Sequence, residues 1–300
     1  MVLRLWLIEN VRFIFFVIQK NEIWDTIIEP KDRFFDLGLK AVWQKRYLLW
    51  LFVKRDLTVQ FKQTIFGFAW HFLSPLMSTL IYFIVFSRIA GIPTDGIPEP
   101  LFYLSGICLW NYYANCLTKV QDTFARNANL FGKVYFPRLI SPLSITISQL
   151  LNFSVQLLLF VVVYIVYAFV GVHARPNMYL LLFPVLLFLV AGNALGVGLL
   201  FTSLTTKYRD LKNFFTVFVQ LWMYATPVVY PLSVITNPRL HTVMQLNPLT
   251  PVFEAFKYAA LGTGSFSWIW LAYSTLFTLL LLIISILLFN HKQKRFIDTI

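Results

Sequence analysis

The 300-residue chain is short of charge: Asp, Glu, Lys and Arg make up 13% of it, where soluble domains carry roughly 25%. Acids are the scarcer sign, 13 against 25 Lys and Arg. So few polar side chains cannot cover a water-exposed surface, and a composition that is 58% hydrophobic places much of that surface against lipid. The long apolar runs themselves carry almost no ionisable group: none has an Asp, Glu or Lys, and Arg88 and His71 in the first are the exceptions. That excludes the intramembrane carboxylates of proton-coupled transporters and the charged rings of ion channels. Histidines 71, 173, 241 and 291 lie on different segments without metal-ligand spacing. Acid, base or metal chemistry on a bound substrate therefore has no constellation to stand on. A phosphate-binding loop is missing too: Gly132-Lys133 resembles the end of one, but Asn127 replaces the upstream glycine and Val134 the Ser/Thr. No cofactor is expected in this chain. The two cysteines, Cys108 and Cys116, are eight apart in one apolar run, about 12 Å of helical rise, which argues against a bond between them. The first residues lack the pattern of a cleaved secretory signal. The +12 net charge is not gathered into a basic stripe with interleaved aromatics, so nucleic acid is not an expected partner.

What the sequence does have is six apolar stretches of spanning length, at about 68–91, 101–117, 142–170, 178–203, 214–230 and 266–289. Of the 25 Lys and Arg, 21 flank these stretches on one side if both termini lie in the cytoplasm. Positive charge collects on the cytoplasmic side, which fixes that orientation. The expected fold is an all-α integral membrane protein with six transmembrane helices. Residues 1–38 read as an N-terminal cytoplasmic extension, 39–66 as an interfacial region and 67–300 as the spanning domain.

Two regions depart from plain spans and loops. In the first, the apolar run 47–53 sits between Lys45-Arg46 and Lys54-Arg55. Too short to cross, it suits an amphipathic helix in the headgroup plane; a partly buried cytoplasmic helix is the alternative. The second, 231–265, is apolar but broken by Pro238, Pro248 and Pro251. It fits two short re-entrant helices before the last span, one carrying Glu254 and Lys257. Small residues in the run AGNALGVG, Gly192, Gly196 and Gly198 among them, predict close helix packing, within the chain or against a second copy. Aromatics are 18% of the chain. Tyr112 and Tyr113 in the second span, and Phe215, Phe218 and Trp222 at helical spacing in the fifth, are candidates to line a path on which sugars slide; ordinary packing is the alternative.

Four strings carry a resemblance: RDLTVQFKQTIFGFAW (55–70), NANLFGKVYFPRLISP (127–142), KYRDLKNFFTVFVQLWMYATPVVYP (207–231) and LNPLTPVFEAFKYAALG (246–262). Together they resemble the permease subunits of ABC exporters that carry lipid-linked polysaccharide outward, of O-antigen, capsule or teichoic-acid type. The resemblance implies a homodimer in the bacterial cytoplasmic (inner) membrane, paired with two ABC ATPase subunits that bind the ATP and Mg. It implies that the loop with Phe131, Lys133, Tyr135 and Arg138 docks into the ATPase. Ser141-Pro142 would start the third span as an N-cap and N1 pair. On this reading Lys54, Arg55 and Lys62 meet the lipid-linked head, although the positive-inside rule alone accounts for them equally. Glu254 would hold an outer gate, with a surface carboxylate as the simpler alternative. A permease that exports a lipid or a drug shares most of this architecture. A membrane glycan transferase would need acid or histidine pairs that are missing.

Overall fold

A computed structural model describes residues 37–61, 69–131, 133–134, 136–171, 176–205 and 210–292. The expected extension over 1–38 lies almost wholly outside them, as do Lys62 and Tyr135. Among the described residues every regular element is a helix. Two helices, α1 (Leu39–Gln44) and α2 (Arg46–Phe61), precede α3 (Trp70–Tyr82), which continues as a π-helix over Phe83–Ile89. Then come α4 (Glu99–Gln121), α5 (Thr123–Phe131) and α6 (Ile140–Phe169). A 3-10 turn, Met178–Leu182, leads into α7 (Phe183–Thr205), followed by α8 (Leu211–Tyr224). Two short helices, α9 (Pro238–Leu246) and α10 (Thr250–Leu261), precede α11 (Trp268–Lys292).

Four segments are long and apolar enough to cross a membrane: Trp70–Ile89, Ile140–Phe169, Met178–Thr202 and Trp268–His291. They match the first, third, fourth and sixth expected spans. The other two differ for physical reasons. Helix α4 has 23 residues, about 34 Å at 1.5 Å per residue, but its hydropathy is diluted by Ser105, Asn111, Asn115 and Thr118. It can afford them because it is the central helix: Leu101 to Trp110 are buried without a break, so protein rather than lipid surrounds it. Helix α8 has 14 residues, about 21 Å, and gives way to turns from Ala225.

The ends of these helices follow local chemistry. Pro98 precedes α4 and Pro100 stands in its first turn, where a missing N–H costs nothing. Asn237 caps α9, its side chain accepting from the Arg239 N–H at 3.0 Å. Helix α10 stops at Gly262, whose φ of 79° only glycine adopts without strain. The third span begins differently from expectation: α6 starts at Ile140 after Leu139, with no side-chain cap. Ser141 is instead inside the helix, its Oγ accepting from Asn127 Nδ2 at 2.9 Å.

The AGNALGVG run resolves to packing within the chain. A Cβ on Gly192 would stand 3.1 Å from Leu282 and Thr278, and one on Gly196 2.9 Å from Leu281, all on α11. On Gly198 it would meet Val120 of α4 at 2.7 Å. Helix α7 is thus seated between α4 and α11 by the absence of side chains.

Candidate functional site

At the basic end of the bundle, α2 lies along α6. Its Phe52 and Val53 are buried, while Trp50, Leu51 and Tyr47 are exposed, so apolar groups face both inward and outward. A ladder of polar side chains at three- and four-residue spacing, Ser144, Ser148, Gln149, Asn152 and Gln156, runs up one face of α6 and is buried. Ser144 Oγ donates to Asp56 at 3.2 Å. Asn152 Nδ2 donates to Gln60 Oε1 at 3.2 Å and to Gln149 Oε1 at 2.8 Å. Gln60 Nε2 and His71 Nε2 are 2.8 Å apart, and Asn111 Nδ2 donates to Gln156 at 3.4 Å. The network ties α2, α3, α4 and α6 together, and buried polar groups of this kind are held only where partners satisfy them.

Of the three cations expected to meet a lipid-linked head, Lys54 is exposed on α2. Arg55 is engaged: its guanidinium pairs with Asp56 at 2.8 Å and lies 4.4 Å from the centroid of Phe52. Lys62 is outside the described residues.

The aromatics expected to line a path lie on the packed side of their helices. Tyr112 and Tyr113 are buried, Tyr112 against Phe153 at 5.3 Å and Tyr113 against Trp110 at 5.4 Å. On α8, Phe215 is 0% exposed and packs on Phe201 with centroids 4.2 Å apart. Phe218 follows at 6.2 Å and Trp222 at 5.3 Å beyond it, both half-buried. The opposite face of α8 is open: Phe214 (62% exposed), Val217, Leu221 and Tyr224. Helix α3 is open likewise along Leu73, Leu76, Met77, Leu80 and Ile81.

The far end of α8 is pinned. Asn247 Nδ2 donates to the Ala225 carbonyl at 2.8 Å and to Thr226 Oγ1 at 2.9 Å. Lys257 donates to the Pro227 carbonyl at 2.5 Å, and its ammonium lies 4.1 Å from the Phe102 centroid. Val228 presses on α4 where Gly106 has no side chain; a Cβ there would fall 2.5 Å from the Val228 carbonyl oxygen. Glu254 is no surface carboxylate. It and Lys257 are each 2% exposed, with Oε1 3.9 Å from the ammonium, and Oε2 accepts from the Ser265 N–H at 3.0 Å. The turn after α8, helix α10 and the segment leading into α11 are thereby clamped around one buried ion pair.

At the last residue of α5, Phe131 is buried against Phe124 and Phe136, and the guanidinium of Arg138, in the loop that follows, lies 5.5 Å from its ring centroid. Lys133 is exposed, and Tyr135 lies outside the described residues. Charge and ring thus stand together at the basic end, with Lys133 free to meet another surface.

Asn247 and Gly106 are not singled out by sequence reasoning, and neither is the α6 ladder; Lys257 is named there only as a residue of the expected re-entrant helix, with no role. For the ladder a signal existed: amides and hydroxyls recurring at helical spacing inside an apolar run. Gly106 had none, because nothing local marks which glycine a distant carbonyl approaches.

A bundle of long apolar helices with a buried polar ladder, and with apolar faces of α3 and α8 left exposed, suits a membrane-embedded domain. Residues 47–261 match the ABC-2 type transporter family, and the chain belongs to it. It is 26% identical over 267 residues to an O-antigen export system permease protein, RfbA, of Klebsiella pneumoniae, which covers 87% of this chain and 99% of that protein. A protein of the same name from Myxococcus xanthus is 27% identical over 73% of this chain and 82% of its own length. The polysialic acid transport protein KpsM of Escherichia coli is 22% identical, over 80% of this chain and 91% of its own.

Proposed function

We propose that this chain is the membrane subunit of an ABC exporter for lipid-linked polysaccharide, energised by a separate ATPase. The observation that carries the reading is the match to O-antigen export permeases along 99% of one such protein, rather than to a shared fragment. The absence of a phosphate-binding loop from the sequence fits an energy source on another subunit.

In this reading six helices span, α4 and α8 with its following turns included, and both termini lie in the cytoplasm of a bacterial inner membrane. Helix α2 lies in the headgroup plane, where its exposed Trp50 and Tyr47 suit the interface. Helices α9 and α10, about 14 and 18 Å long at 9 and 12 residues, dip into the outer leaflet and return. Two copies enclose the path with their open α3 and α8 faces. Phe218 and Trp222 border it, while Phe215, Tyr112 and Tyr113 stiffen the wall behind. The Phe131–Arg138 loop docks the ATPase, whose stroke rocks α8 about its pinned end, with the Glu254–Lys257 clamp as the outer stop.

Deletion of the gene tests this: surface polysaccharide is lost and its lipid-linked precursor accumulates inside, and the purified chain brings an ATPase with it. A complex whose deletion leaves surface glycan intact overturns the substrate class. The same outcome with a lipid or drug retained in the cell points to the sister exporters.

A further inference from the structure

A run of contacts that the mechanism above leaves unused joins the docking loop to a wall of the path. Phe131, beside Arg138, packs on Phe136 with ring centroids 5.5 Å apart, and Phe136 packs on Phe52 of α2 at 5.3 Å. Phe136 and Phe52 are each 6% exposed. A displaced loop therefore pushes on a close-packed neighbour rather than on solvent. Helix α2 carries that push eight residues further, about 12 Å of helical rise, to Gln60.

Gln60 is held from both sides. Its Oε1 accepts from Asn152 Nδ2 of α6 at 3.2 Å, and its Nε2 lies 2.8 Å from Nε2 of His71 on α3. An amide nitrogen only donates, so His71 Nε2 accepts, and the neutral ring carries its proton on Nδ1. Asn152 gives its second N–H to Gln149 Oε1 at 2.8 Å. Neither amide can turn over without setting donor against donor or acceptor against acceptor. Apolar side chains of similar volume would fill positions 60 and 152, so packing alone does not call for this relay. Helix α3 has few other anchors: Pro75 and Thr79 are its buried residues, and Leu73, Leu76, Met77 and Leu80 are exposed.

We propose that Gln60 is a positioning residue for transport: held between Asn152 and His71, it fastens α3 to α2 and α6, so that a stroke received at the docking loop also moves the α3 wall of the path. This rests on the export reading and adds to it the route by which the stroke reaches α3.

The test uses the full chain with its co-purified ATPase in proteoliposomes, and lipid-linked glycan extracted from cells that make it. ATP turnover, glycan reaching a lectin on the far side and melting temperature are measured together. Gln60→Leu keeps ATP turnover and lowers glycan exported per ATP about fivefold, the scale of one lost coupling contact. Asn152→Leu does the same. Gln60→Asn and Asn152→Gln each uncouple, because one amide is then too short or too long. The double exchange Gln60→Asn/Asn152→Gln keeps the summed length and restores more than half of the coupling. Thr58→Val, on the exposed side of α2 with its hydroxyl bonded only to the Lys54 carbonyl of its own helix, changes neither reading. Unaltered export per ATP in Gln60→Leu overturns the relay, and so does export that falls only in step with hydrolysis or melting temperature. The cellular deletion separates the two levels. Surface glycan lost on deletion, but exported at the normal yield by Gln60→Leu, refutes the relay and spares the reading; surface glycan that persists on deletion refutes the reading itself.

Discussion

Replacing Lys257 by Met should be among the most damaging changes in the molecule, and the geometry sets its size. The ammonium is 3.9 Å from Glu254 Oε1, both residues 2% exposed. At an effective dielectric of about 20, that separation corresponds to about 4 kcal/mol of attraction. Methionine fills a similar volume, so packing changes little. What it leaves is a carboxylate out of water with its opposite charge gone, a loss in the range of about 3–5 kcal/mol. Neutralising the acid as well, in Lys257→Met/Glu254→Gln, removes that penalty. The residual cost is the Pro227 hydrogen bond and the contact with the Phe102 ring, about 1–2 kcal/mol. The assay is unfolding of the detergent-solubilised chain followed by tryptophan fluorescence. At about 2 °C per kcal/mol for a chain of this size, the single variant melts about 8 °C low and the double variant recovers more than half of that. Equal shifts for single and double variants would mean that the cost lies in packing and not in an orphaned charge.

Other expectations follow from the same geometry. Gly106→Ala puts a methyl 2.5 Å from the Val228 carbonyl and should cost about 1–3 kcal/mol by overpacking; an unchanged melting temperature would mean the turn after α8 is not pressed on α4. Phe215→Ala, at 0% exposure, should lose about 3–5 kcal/mol, whereas Phe214→Ala should leave stability within about 0.5 kcal/mol and slow export, measured as surface glycan. Phe131→Ala or Arg138→Ala should weaken co-purification of the ATPase while the chain stays monodisperse; undiminished association places the docking contact elsewhere.

Much of the architecture is legible from hydropathy because lipid imposes it. The spans that match, such as Ile140–Phe169, are those whose apolar faces meet lipid over many residues. Helix α4 carried a weaker signal because protein surrounds it, and Asn111 and Thr118 are affordable there. The direction of α8 was the harder problem. Its Phe215, Phe218 and Trp222 do share a face, as their spacing implies, but its other face, from Phe214 to Tyr224, is equally apolar. A helix greasy on both sides gives no pattern that says which side is packed. Glu254 and Lys257 illustrate a different limit: the sequence places them three apart on an amphipathic helix, with a surface carboxylate as the simpler reading of Glu254, and only the packing of Pro227, Phe102 and Ser265 around them buries the pair.

In the proposed reading this chain forms the path by which an ATPase moves lipid-linked polysaccharide across the membrane. Proteoliposomes that contain the chain, its co-purified ATPase and a lipid-linked glycan placed on the ATPase side put that path to the test. ATP should make the glycan accessible to a lectin on the opposite side, and liposomes without the chain should show none of it. A complex that hydrolyses ATP while the glycan stays where it was placed would rule the path out.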